Sequence, residues 1–326
     1  MNLIDSITLK TDRRVGIVIP TAARHDFSAF VMQVKKKLLD VRTDAFFVIA
    51  PDATDAAYNA LKKSFTQIEK LNVLENGGPV GKRIINGFDI AAKEADTVLF
   101  MPDDFDHLLE SMPAFVSRLG INNDFLSGKW DETSIKYLPY SLYLNESFMS
   151  CAVTYANPEH PQSKVPSLEN FQAFKKEAEE IDTWHQAYIG LFGTSSLKWV
   201  ELREAAYELF KDSITSFHSV GVEAGLPLVA MHCKMKIEQM EVPKRFEHEI
   251  LQSGSKEEMA YAASRRSQFN NGMNVVIDFA KYCPEKQDNL KDFAAEAEAA
   301  VGGAGFNWPD RAVEPSEWNT QIKTTW

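Results

Sequence analysis

Four short apolar runs punctuate the first hundred positions: Val15 to Ile19 (VGIVI), Ala45 to Ala50 (AFFVIA), Leu71 to Leu74 (LNVL) and Thr97 to Met101 (TVLFM). They are nearly continuous rather than alternating with polar residues, which predicts strands buried on both faces. Between them the period changes. Phe27, Phe30, Val31, Val34 and Leu38 fall at i, i+3, i+4, i+7 and i+11, one face of a helix that Asp26 is suited to cap. Further helical segments are predicted from about Thr54 to Phe65 and from about Val80 to Glu94. Strand and helix alternating about every 25 to 30 residues is the pattern of a mostly parallel sheet flanked by helices. Residues 1–107 therefore read as a Rossmann-like half of an α/β protein.

Sheets of this kind bind ligands at the C-terminal ends of their strands. The loops there read Pro20-Thr21-Ala22-Ala23-Arg24, Pro51-Asp52-Ala53-Thr54-Asp55, Gly77-Gly78-Pro79-Val80-Gly81-Lys82-Arg83 and Pro102-Asp103-Asp104-Phe105-Asp106. After Asp106 the regular alternation stops, and residues 120–180 are rich in aromatics and turn formers, as expected of an insertion or binding subdomain. Regularity returns with a Gly-containing run at Tyr188 to Thr194, a helix near Lys198 to Lys211 and a helix beginning near Val222. A strand-like piece at Met235 to Val242 follows, then a long helix from Ser255 toward Tyr282 and another over Asp292 to Val301. We divide the chain into residues 1–107, a mixed second half over 108–254, and C-terminal helices with an irregular tail over 255–326.

Composition narrows the function classes. With 35 basic against 46 acidic residues in 326, the formal charge is −11, so nucleic-acid binding is not expected without a local basic groove. Cys151, Cys233 and Cys283 are widely spaced and form no CxxC pair, which argues against a disulfide framework or thiolate zinc site and for a reducing cytoplasm. No leader-like apolar stretch opens the chain, and no membrane span of roughly 18 apolar residues is expected. Self-association is compatible with these features.

The strongest chemical signal is the carboxylate cluster Asp103, Asp104 and Asp106, directly after an apolar strand. Crowded carboxylates repel unless a cation neutralises them, and hard divalent ions take oxygen ligands, so a Mg²⁺ or Mn²⁺ site follows; the bland alternative is an acidic turn before a helix. Gly77 to Lys82 ends in Gly-Lys-Arg at a predicted helix start, where backbone N–H groups and the helix dipole favour a phosphate. Arg83 stands where a P-loop needs Ser or Thr, so the loop is not a P-loop. Asp52 is placed to hydrogen-bond a base or ribose, or simply to cap a turn. His248 follows the strand-like piece and is available to complete a metal site. No GxGxxG follows the first strand and no GxSxG occurs, which weakens dehydrogenase and acyl-transfer readings. The six histidines other than His248, His218 among them, have no motif spacing and receive no role.

Taken in order, these loops resemble the nucleotide-sugar-dependent glycosyltransferases of the GT-A fold. VGIVIPTAARHD is similar to their first strand and base-binding loop, VIAPDATD to the second-strand signature, GPVGKRIINGFDIA to the Gly-Lys helix beneath the diphosphate, and LFMPDDFD to the DXD motif. The second half resembles the retaining mannosylglycerate synthase and glucosyl-phosphoglycerate synthase group, through Tyr188 to Gly193, Gly221-Val222-Glu223-Ala224-Gly225 and Phe246-Glu247-His248. The resemblance implies a metal-dependent transferase that moves a sugar from a UDP- or GDP-linked donor to an unknown acceptor, with retention. It implies donor contacts from Pro20, Thr21, Ala22, Asp52, Gly81, Lys82, Arg83, Asp103 and Asp104, and acceptor contacts from Gly190 and Glu223. Glu223 and Lys82 would be catalytic. The ion would sit on His248 with either Asp103 and Asp104 or Asp104 and Asp106, of which we favour the second pair. Ala-Arg replaces the family's Asn-Glu after the first strand. A sugar nucleotidyltransferase uses a similar sheet but a longer glycine loop after the first strand than PTAARHD supplies. A catalytically silent glycan- or nucleotide-binding protein of the same fold is a further alternative, and a glycosyltransferase of modified DNA would need a basic groove.

Overall fold

The computed structural model describes residues 13–21, 27–39, 41–51, 71–74, 78–102, 108–130, 140–161, 166–167, 169–187, 190–242 and 256–303. Among them, seven strands form one sheet in the order β3-β2-β1-β4-β6-β5-β7. The strands are β1 (Arg13–Thr21), β2 (Thr43–Pro51), β3 (Leu71–Val73), β4 (Thr97–Phe100), β5 (Phe125–Trp130), β6 (Phe192–Ser195) and β7 (Ile237–Val242). β1 pairs in parallel with β2 and β4, and β2 in parallel with β3, whereas β4 and β6 run antiparallel. The mostly parallel sheet flanked by helices expected from the sequence is present, with an antiparallel part beginning at β6. The chain resolves into two compact units. One comprises 1–78, 83–126 and 191–200; the other comprises 79–82, 127–190 and 201–326.

In the first unit Val15, Ile17, Val18 and Ile19 of β1 are wholly buried, as are Val48 to Ala50 of β2 and Val98 and Leu99 of β4. Helix α1 (Phe27–Leu39) buries Val31, Val34 and Leu38, the stripe its periodicity predicted. Helix α2 (Val80–Glu94) lies close on β1: a Cβ on Gly16 would stand 2.6 Å from the Cβ of Ala91, and one on Gly87 would strike Val18. Phe88 of α2 meets Phe192 at 5.9 Å and the edge of Trp199 at 4.8 Å, while the Trp199 indole donates to Asp89 at 2.8 Å. Aromatic contacts at Phe88 and close backbone approach at Gly16 and Gly87 thus seat α2.

Helix α3 (Leu108–Arg118) begins where the alternative reading of the acidic run put a helix start. It buries Leu108, Leu109, Met112, Phe115 and Val116 at helical spacing, but carries Pro113 inside it and follows an acidic run, which together mask its period.

The second unit is mainly helical. Helix α4 (Tyr140–Ala156) lies where the sequence suggested irregular structure, because it is buried on nearly all sides from Leu144 on and so shows no amphipathic stripe. Phe148 of α4 meets Phe171 of α5 (Phe171–Glu180) edge-on at 5.2 Å, and Phe293 at 5.8 Å. Helix α6 (Ser196–Leu209) begins in the first unit and continues into the second. Then come the short turn Ile214–Ser216, a π-turn Phe217–Gly221 and α7 (Val222–His232). Helix α8 (Lys256–Phe279) matches the long helix expected after Ser255. Helix α9 (Pro284–Gly303) starts eight residues before the expected Asp292, with Pro284 at the first helical position, where a missing N–H costs nothing.

The stretch Ile214–His232 is long and apolar enough to cross a membrane by length and composition, which corrects the expectation that no such window exists. Within it, Val222 and Ala224 to Ala230 are buried in the second unit, as in a core helix. All three cysteines are free thiols. The helix expected from Thr54 to Phe65 lies outside the described residues.

Candidate functional site

The parallel strands of the first unit end in register. Pro20 and Thr21 of β1 pair with Ala50 and Pro51 of β2, Leu74 donates to the carbonyl of Ile49 at 2.8 Å, and Met101 donates to that of Val18 at 3.0 Å. Thr21 is buried, leaving its backbone rather than an exposed side chain at the strand end. The turn into α2 passes through Gly78, at φ +73°, a left-handed conformation that glycine adopts without strain.

Arg83 ties these ends together. Its Nε donates to the carbonyl of Gly78 at 3.1 Å, and its Nη1 donates to the carbonyls of Ala50 at 2.7 Å and Thr21 at 3.2 Å. The side chain is only 7% exposed. A rigid guanidinium fork can hold three diverging acceptors where an ammonium cannot. The sequence suggested Arg83 as a phosphate contact; its described hydrogen bonds brace the ends of β1, β2 and the Gly78 turn. Its neighbour Lys82 is exposed on the first turn of α2, the end of a helix that attracts anions.

In the second unit, Gly81 is buried against the π-turn. A Cβ there would overlap the carbonyl oxygen of Ser219 and stand 2.6 Å from that of Phe217. Ser219 itself leaves helical geometry at φ −85°, ψ −133°, so the chain kinks just before α7. Glu223 stands in the first turn of α7, partly exposed. His218, in the π-turn, brings Nε2 to 3.4 Å from the Tyr207 hydroxyl, with the two rings edge to face at 5.7 Å. Burial, and then the charge of Lys82, hold the His218 imidazole below its ordinary pKa. Nothing in the local sequence marked His218; only the π-turn brings it to Lys82. Gly190 is buried at φ +71°, two residues before β6.

Ala22, Asp52, Asp103, Asp104, Asp106 and His248 lie outside the described residues. Among the described residues no group of three or more His, Cys, Asp or Glu side chains is arranged to hold a metal ion. The chemistry of the sequence run after Pro102 fits a hard divalent ion, since it offers three carboxylates two to five residues beyond Met101, which extends β4 alongside β1.

A polar cleft of about 400 Å³ opens at the opposite edge of the first unit, lined by Arg13, Arg14, Asp44, Lys93, Glu94 and Asp96. Part of its charge is paired within it. Arg14 pairs with Asp44 at 3.1 Å, and its backbone N–H donates to Asp96 at 2.9 Å. It lies at the N-terminal strand ends, away from the edge where such sheets bind ligands.

No family model matches the chain, nor does the sequence of any curated protein. Among solved structures, mannosyl-3-phosphoglycerate synthase from Rubrobacter xylanophilus is 12% identical over 85% of this chain and 75% of its own, with a TM-score of 0.46. The mannosyltransferase PcManGT from Pyrobaculum calidifontis, solved with GDP-Man and Mn2+, is 12% identical over 96% of this chain and 85% of its own, at a TM-score of 0.38. S. aureus TarS with UDP-GlcNAc is 13% identical over 93% of this chain and 97% of its own, at 0.37. At this level of likeness the chain's own residues carry the functional reading.

Proposed function

We propose that this chain is a GT-A-type glycosyltransferase that takes a sugar from a UDP- or GDP-linked donor and passes it, with retention, to a separate acceptor. The observation that carries the reading is the division of labour between two adjacent cations. Arg83 is buried and braces the ends of β1 and β2, while Lys82 stays exposed on the first turn of α2. That arrangement suits a diphosphate at the C-terminal edge of the sheet, where ligands of such folds bind. The sheet order, parallel through β3-β2-β1-β4 and then antiparallel at β6, supports it.

The reaction breaks the bond between the anomeric carbon and the diphosphate oxygen, and the charge growing on that oxygen must be met where it appears. Lys82 supplies a fixed positive charge for it. Backbone N–H groups of the first α2 turn point the same way by helix geometry. Thr21, Ala22 and Asp52 are assigned to the base and ribose, and Glu223 and Gly190 to the acceptor hydroxyls. Asp104 and Asp106, with His248, would hold Mn²⁺ or Mg²⁺, which when bound supplies Lewis-acid neutralisation of the diphosphate. The free thiols support a reducing, cytoplasmic setting.

The test is thermal denaturation with UDP-, GDP- and ADP-sugars, each with and without Mn²⁺, followed by product analysis for the responding donor. A Mn²⁺-dependent rise for one nucleotide is expected. Absence of any rise across the panel would overturn the reading, and a rise without sugar transfer or donor hydrolysis would make the chain a binding protein.

A further inference from the structure

His218 was given no role by its sequence context, yet the fold carries it to the first turn of α2. The backbone of the π-turn presses on Gly81, where a Cβ would lie 2.9 Å from the carbonyl carbon of His218 and 2.6 Å from the Phe217 oxygen. Lys82 follows directly on the same turn. We propose that His218 is a second diphosphate-binding side chain beside Lys82, oriented by Tyr207; this rests on the glycosyltransferase reading, which supplies the diphosphate.

Three observations carry it. The ring is partly exposed, so an anion can reach it. Tyr207 meets it edge to face at 77° and lies 3.4 Å from Nε2, so the hydroxyl engages one ring nitrogen, and the role proposed for a ligand falls to the other. With the Tyr207 hydroxyl donating to Nε2, the proton rests on Nδ1, which becomes the donor to phosphate. Finally, a neutral imidazole beside an ammonium avoids the repulsion a second cation would bring to the empty site, yet still offers an N–H once the anion arrives. Burial and the Lys82 charge both favour that neutral form. The kink at Ser219 holds the arrangement, because Gly81 leaves the π-turn no room to relax toward α2.

The experiment is calorimetric titration of inorganic pyrophosphate, UDP and GDP, each with Mn²⁺, into the wild type, His218→Phe and His218→Gln. Phenylalanine keeps the ring packing on Tyr207 and removes the N–H; glutamine returns a donor. We expect His218→Phe to weaken pyrophosphate and the better nucleotide by about tenfold or more, the scale of a hydrogen bond to a charged group. His218→Gln should recover much of that loss, with thermal midpoints unchanged in both. Wild-type affinity in His218→Phe overturns the proposal and leaves the glycosyltransferase reading standing. Loss in both variants alike, with lowered midpoints, also overturns it, since it marks a packing role. Weakened pyrophosphate binding with neither nucleotide bound more tightly than pyrophosphate keeps the anion site and removes the glycosyltransferase. If none of the three anions binds the wild type, both fall.

Discussion

Gly81, in the first turn of α2, lies directly against the carbonyl oxygen of Ser219 in the π-turn, with no space for a side-chain carbon between them. The contact is backbone on backbone, so neither partner can swing aside as a flexible side chain would. It brings the residue before Lys82 to the turn that carries His218 and leads into Glu223.

Gly81→Ala is therefore expected to cost about 1–3 kcal/mol or more of folding stability by overpacking. Chemical denaturation measures it. A variant as stable as the wild type would mean that the π-turn is not seated as described.

Arg83 and Lys82 should separate cleanly. Arg83→Lys leaves carbonyls of Thr21, Ala50 and Gly78 without their shared fork and should lose about 3 kcal/mol, judged from hydrogen bonds to charged groups. Lys82→Ala, at an exposed position, should alter stability by no more than about 0.5 kcal/mol while weakening nucleotide binding. Denaturant midpoints and nucleotide titrations on the pair decide the point.

Asp104→Ala is expected to abolish Mn²⁺-dependent stabilisation by a sugar nucleotide while the unliganded thermal midpoint stays near that of the wild type. His248→Ala probes the same ion from the second half of the chain. Undiminished stabilisation in either variant would remove that residue from the metal site.

Lys286 is 3% exposed and donates to the carbonyls of Tyr155 at 2.9 Å and Asn157 at 2.8 Å, closing the C-terminal end of α4 with a positive charge. Lys286→Ala strips those acceptors and should cost about 2–3 kcal/mol. A thermal midpoint within a degree or so of the wild type would argue that water replaces the ammonium without loss.

Burial pushes the His185 imidazole down to about 4, against a weaker opposing pull from Asp182. The unfolded chain binds a proton at His185 near pH 6.5, whereas the folded chain does so only near pH 4. Between those values the unfolded state holds more protons, so stability falls as pH drops through this window and the contribution levels off below it. His185→Gln should flatten the thermal midpoint between pH 6.5 and about 4; an unchanged slope would assign the acid loss to other groups.

Much of the first half was legible because its strands are buried on both faces. VGIVI, AFFVIA and TVLFM can satisfy burial in few other ways, and the α1 stripe needs only local periodicity. The long helix after Ser255 announced itself in the same manner. Helix α4 did not, since total burial erases the contrast between faces on which a period depends. Arg83 and Lys82 show the same limit at the scale of a site. As neighbours in a Gly-Lys-Arg string they carry one signal, a basic helix start. Which of them turns inward is decided by the position of the Thr21 and Ala50 carbonyls, and those come from strands 33 and 62 residues away. His218 is the extreme case. Its approach to Lys82 depends on a π-turn and on the missing side chain of Gly81, more than a hundred positions earlier. Local propensity and hydrophobic pattern are written residue by residue and can be read from the chain alone; steric fit between distant backbones exists only once the chain has closed on itself.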